Sequence, residues 1–209
     1  DNQYQKLEGM LCQMLAQRDH WLQDVTDLHS NPEQLRLLLE QSLFNINRDA
    51  RDQFFDLYTS DFQNELESIT AYAANQLALA GSQHPILNVN NPEHQSEFDS
   101  EKTKLSLFVT KAKPPKLRAR FDKRDGFPTG TGAEKKAASE YKARANAFVQ
   151  RMESSGEPGL TMLLDFISLP SDQLDQNNWQ LLQDLMLIVR YSAAHLKLVF
   201  SQKQQVDFS

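Results

Sequence analysis

Between positions 55 and 80 the apolar residues fall at Phe55, Tyr58, Phe62, Leu66, Ile69, Ala73, Leu77 and Ala80, spaced 3, 4, 4, 3, 4, 4 and 3. Only an α-helix gathers such a set on one face, so this stripe constrains the fold more than any other feature. It predicts a helix over 49–80, closed by Gly81, which can take the left-handed conformation that ends helices.

The same test finds helices elsewhere. Tyr4, Leu7, Leu11, Met14, Arg18, Trp21, Val25 and Leu28 alternate spacings of 3 and 4, the rhythm of a coiled-coil seam or of a helix in an antiparallel bundle. A helix over 3–29 is expected, with self-association through residues 4–28 as one use of the seam. Asn31 and Pro32 then make a restart signal, a capping residue followed by proline at the first helical position. A helix over 32–46 carries Leu35, Leu38, Leu39, Ser42, Leu43 and Ile46 on one face, and Asn45 to Asn47 are expected to break it. Further helices are expected over 133–153, with Tyr141, Ala145, Phe148 and Met152 as the stripe, over 160–168, and over 172–204 behind a Pro170-Ser171-Asp172 cap. The last is apolar almost all round between Leu181 and Phe200, which predicts a helix buried at the centre of the fold.

Charge divides the chain differently from length. Of 209 residues, 1–99 hold 5 Lys or Arg against 16 Asp or Glu, 100–151 hold 14 against 5, and 152–209 hold 3 against 7. A net of −6 therefore conceals a block of +9. That block coincides with a loss of helical rhythm. Residues 81–100 read as a long loop rich in Pro, Asn and Ser. Residues 104–110 and 116–121 lean toward β structure, and Lys111, Lys113, Pro114 and Pro115 between them suit a turn. The fold class expected is mainly α, a bundle of five or six helices with a small basic β-hairpin inserted near residues 104–121. As domains, a single helical domain spans 1–209, with residues 81–132 as a loop and hairpin insertion between helical parts 1–80 and 133–209.

Lys104, Lys111, Lys113, Lys116, Arg118, Arg120, Lys123 and Arg124 lie within 21 residues, and Lys135 and Lys136 follow. Such a cluster suits a polyanion or an acidic partner surface. Phe121 and Phe127 would add stacking on single-stranded bases. The expected partner is a protein bound by a non-enzymatic adaptor or regulatory module. The alternative is a nucleic acid held by the hairpin and the helix after it. Asp49, Asp52 and Asp56 are the internal carboxylates the basic segment would meet if it folded back.

No catalytic pattern competes with this reading. Gly126, Gly130 and Gly132 precede a helix, but Thr131 stands where a phosphate-cradling loop needs its second glycine. Cys12 sits beside Leu11 in the expected seam with no base to activate it, and one cysteine excludes an internal disulfide framework. His20, Asp24 and Asp27 share a helix face without a second ligand cluster, His94 lies in an acidic loop without calcium-loop spacing, and His195 reads as a core or capping histidine. No metal and no cofactor are expected. The longest continuous apolar run, 185–189, is far too short to span a membrane. A cytoplasmic location, or a nuclear one in a eukaryote, is expected. The chain opens on Asp1, not Met, and without a basic-then-apolar leader, which reads as a piece of a longer protein.

Overall fold

The computed structural model describes residues 31–89, 96–129 and 132–202, with isolated positions among the first 17. Most of the expected 3–29 helix, with His20, Asp24, Asp27 and most of the 4–28 seam, lies outside the described residues, as does His94. The protein is mainly helical, with about 75% of the described residues in helix and no strand among them. Six α-helices are described: α1 (Pro32–Phe55), α2 (Asp61–Leu79), α3 (Glu97–Ser106), α4 (Gly132–Ser154), α5 (Gly156–Ser168) and α6 (Gln176–Gln202). The chain divides into two compact units, Ser42–Gln173 and Asp1–Gln41 with Leu174–Ser209.

The unit Ser42–Gln173 is organised around α2. Phe62, Leu66, Ile69, Ala73 and Leu77 are buried, as their spacing predicts. Against them pack Phe148 and Met152 of α4, Leu105 of α3, and Leu163 and Phe166 of α5. Phe62 stacks on Phe148 with ring centroids 4.2 Å apart, and Tyr72 stacks on Tyr141 at 4.0 Å. Helix α2 ends in a Schellman arrangement. Gly81, at φ +64°, donates its N–H to the Ala78 carbonyl at 3.0 Å, and Ser82 donates to Leu77 at 3.0 Å.

The expected helix over 49–80 is two helices. Helix α1 runs to Phe55, and α2 starts afresh at Asp61. The interruption lets Phe54, off the 55/58/62 stripe, reach the core with no exposed surface. There it meets Phe55, Tyr58 and Phe62 edge to face. Asn45 to Asn47 do not break α1. The Asn47 side-chain NH2 donates to the Leu43 carbonyl at 2.8 Å and to the Pro170 carbonyl at 3.2 Å, so its donor is held by α1 itself and by a distant loop.

No β-strand is formed over 104–121, so the expected β-hairpin is not shown. Residues 104–106 close α3, whose first turn is capped by Ser96, its hydroxyl accepting from the Asp99 N–H at 3.2 Å. What remains of strand pairing is one antiparallel bridge, Val109 to Leu117, with Thr110 N–H to Lys116 O at 2.8 Å and Arg118 N–H to Phe108 O at 2.7 Å. Nor does this stretch simply project. Phe108 and Phe121 of this stretch are in the core, together with the flanking Ile86, Phe98 and Phe127.

In the unit of Asp1–Gln41 and Leu174–Ser209, Asn31 caps α1 by accepting from the Gln34 N–H at 3.2 Å, ahead of Pro32. Glu40 accepts from Arg36 at 3.0 Å and from the Leu174 N–H at 3.1 Å, and Arg36 donates to the Leu174 carbonyl. The cap of α6 is Asp175, which accepts from the Asn178 N–H at 2.8 Å, not the expected Pro170-Ser171-Asp172. Leu35, Trp179, Val189 and Ala193 are buried. Helix α6 is not buried as expected: between Leu181 and Val199, only Val189 and Ala193 are buried among the described side chains. Cys12, expected in a buried seam, is exposed, and His195 is exposed and so not a core histidine.

Candidate functional site

The basic block divides into cations held by the protein and cations left to solvent. Arg118 is held. Its guanidinium donates to the Leu107 carbonyl at 3.0 Å and the Val109 carbonyl at 3.3 Å, and meets the Asp125 carboxylate at 3.0 Å. Asp125 and Asp122 form a reciprocal capping box around a 3₁₀ turn, Lys123–Asp125. Asp122 accepts from the Arg124 N–H at 2.7 Å, and Asp125 accepts from the Asp122 N–H at 3.0 Å. Arg118 thus rivets 107–109 to that turn. Gly126 follows at φ +89°, so close to α2 that a Cβ would lie 2.5 Å from the Ala73 carbonyl oxygen. Only glycine allows this approach, which fixes the turn on α2.

Lys104 pairs with Glu67 of α2. Further along the block, Arg144 makes a two-toothed contact with Glu65, at 2.9 and 2.8 Å, and lies 4.7 Å from the centre of the Tyr141 ring. This holds the Glu65 carboxyl below its ordinary range, the hydrogen bonds to Arg144 outweighing partial burial. Arg151 meets Asp61 at 3.2 Å. The carboxylates that receive these cations are therefore on α2 and in the capping box, not Asp49, Asp52 and Asp56.

Lys111, Lys113, Lys116, Arg120, Lys123, Arg124, Lys135 and Lys136 are exposed and make no ion pair or hydrogen bond through their side chains to any described residue. Six of these eight lie within 111–124, on a segment anchored in the core by Phe108 before it, Phe121 within it and Phe127 after it. Beside it, Lys123 and Arg124 border an open depression of about 630 Å³ with Leu77, Ala80 and Ser82 of the α2 terminus. His84 stands near this charge. Burial and then the Lys111 ammonium push its pKa down, and its Nδ1 accepts from the Ile86 N–H at 3.2 Å. Phe121 and Phe127, the rings expected to stack on bases, are buried against each other at 5.2 Å.

One cation escaped the sequence reading. Lys102 is buried at the C-terminal end of α5, donating to the Leu169 carbonyl at 3.1 Å and the Pro170 carbonyl at 3.0 Å, with Asp99 at 3.5 Å. Burial lowers its pKa more than Asp99 restores it. Its role is to satisfy helix-end carbonyls, and the signal that could have found it was the Ser96-x-x-Asp99 cap, which places 102 inside a helix. Arg51 similarly grips Glu101 at 2.6 and 2.9 Å, tying α1 to α3.

Among the described residues no group of three or more His, Cys, Asp or Glu gathers as metal ligands, and no helix is long and apolar enough to cross a membrane. No protein-family model matches the chain, and comparison with curated proteins and with solved structures finds no similar one.

Proposed function

We propose that the chain is a non-enzymatic helical interaction module, an adaptor or regulatory subunit, that docks on an acidic protein surface through the basic segment 111–124. The observation that carries this reading is the contrast within one block of charge. Lys104, Arg118, Arg144 and Arg151 each hold a carboxylate, whereas Lys111, Lys113, Lys116, Arg120, Lys123 and Arg124 hold none among the described residues. Unpaired like charges at this density repel one another, and an acidic partner relieves that repulsion while steering the encounter. The Arg118 rivet and the Gly126 contact give the segment a rigid base, so less ordering is needed on binding.

A nucleic acid would also neutralise these cations. With Phe121 and Phe127 in the core, however, the segment brings no stacking surface to it, and the protein reading is favoured. The two separate in one experiment: binding of a fluorescent Asp/Glu-rich peptide and of a labelled oligonucleotide at low and high salt. The expected result is salt-sensitive peptide binding that weakens by roughly tenfold or more when Lys111, Lys113 and Lys116 become Glu. Binding of the oligonucleotide alone would transfer the segment to the alternative, and binding of neither at low salt would remove both.

A further inference from the structure

Helix α6 has one apolar face in use and another in solvent. Trp179, Val189 and Ala193 are buried. On the opposite side Leu181 is 58% exposed, Ile188 44%, Tyr191 69% and Leu198 61%. With Asp184 and His195, also exposed, these positions are spaced 3, 4, 3, 4 and 3. That is the heptad rhythm of a two-helix seam. Tyr191, His195 and Leu198, with Leu15 of the same chain, also line an open groove of about 670 Å³.

We propose that this row is the interface between two copies of the chain, packed as an antiparallel pair of α6 helices about a two-fold axis. Under such an axis, if one residue faces a second, the second faces the first. In an antiparallel seam the two heptad sets, 181/188/195 and 184/191/198, face each other. Setting Ile188 against Tyr191 of the second copy places Leu181 against Leu198 and Asp184 against His195. The two polar interruptions of the row meet each other, acid against base, and every other pair is apolar. Sliding one helix by a heptad sets Asp184 against Ile188 in one direction and leaves Leu181 beyond the row in the other. A parallel pair brings the two Asp184 carboxylates together, which like-charge repulsion opposes. The row is complementary to itself in one register, and this argues for a second copy as its occupant.

Light scattering during size exclusion of the full chain tests this. The expected mass rises with concentration from 24.0 kDa toward twice that value. Ile188→Glu weakens association by roughly tenfold or more, with the melting transition of the single copy unchanged because Ile188 is not in its core. Asp184→Arg also weakens it, and adding His195→Asp restores it. In a Cys12→Ser background, Leu181→Cys with Leu198→Cys forms a crosslinked dimer under mild oxidation, while neither single substitution does, since residue 181 lies about 25 Å from its own counterpart in this register. A mass fixed at 24.0 kDa up to high concentration would overturn the proposal. In that case, binding of Ile188-dependent character to lipid vesicles would give the face to a membrane surface, and protection of Ile188→Cys from a thiol reagent would give it to the chain's own residues. Crosslinking through Leu181→Cys alone would overturn the antiparallel register.

Discussion

Helices α2 and α6 are built from similar material and meet opposite conditions. Both are long, and both carry apolar residues at every third or fourth position. In α2 the apolar stripe is narrow and every large residue from Phe62 to Leu77 on it is buried. In α6 the apolar surface is wider, yet Leu181, Ile188, Tyr191 and Leu198 remain largely in solvent. Burial depends on how many neighbours an element finds, not on how apolar it is. Helix α2 is flanked by α3, α4 and the 3₁₀ turns Pro85–Asn88 and Lys123–Asp125, whereas α6 buries only Val189 and Ala193 among its described side chains from Leu181 to Val199. It is this open apolar face that we propose as an interface.

The comparison predicts a graded series of effects. Phe62→Ala, which empties the stack with Phe148, should cost about 3–5 kcal/mol in urea unfolding. A cost near that of a surface substitution would mean α2 is not the centre of the core. Gly126→Ala should be comparably damaging, because its Cβ would strike the α2 backbone at 2.5 Å and the residue must keep φ +89°. If circular dichroism and melting were unchanged, the contact between the capping-box turn and α2 would be wrong. Lys102→Met should cost about 1–3 kcal/mol, since the Leu169 and Pro170 carbonyls lose their buried donor.

Glu65→Gln removes the charge that Arg144 grips. Both groups are about one-third exposed, so solvent screening limits the loss to roughly 1 kcal/mol or less. The pH dependence has a defined sign. The folded pKa of Glu65 lies below its ordinary value of 4.5, so its stabilisation is complete above that pH and is lost as the pH falls through the folded value. Acid titration of stability should therefore be shallower in the Gln variant, and equal slopes would remove the pair as a contributor. Smallest of all, Leu187→Ala on the exposed side of α6 should change single-copy stability by less than about 0.5 kcal/mol. A loss of several kcal/mol there would show that the face is covered within the chain.

Much of the helical part was legible before any coordinates. The 62–77 stripe, the stop at Gly81, the start at Pro32 and the span of α4 follow from spacing and capping chemistry, which act over a few residues. The failures share a cause. The 104–110 stretch, with Leu105, Leu107 and Val109 alternating, looks like a strand, but Ser96 and Asp99 upstream nucleate a helix that runs through its first three residues. Asn47 looks like a breaker until Pro170, 123 residues away, accepts its amide proton. Of the candidate site, composition showed only where the ten cations concentrate; nothing in the spacing told Lys104 and Arg118, which hold carboxylates, from the other eight, which hold none among the described residues.

The sequence by itself determined that the chain is helical, where the α2 stripe points and where positive charge concentrates, because periodicity, caps and composition are local properties. Only the tertiary structure decided that the basic middle is core as well as surface, which cations keep a carboxylate, and which face of α6 stays open. Those outcomes depend on groups that meet across tens of residues. Whether an apolar or charged side chain is buried, paired or exposed is set by what the rest of the fold places beside it.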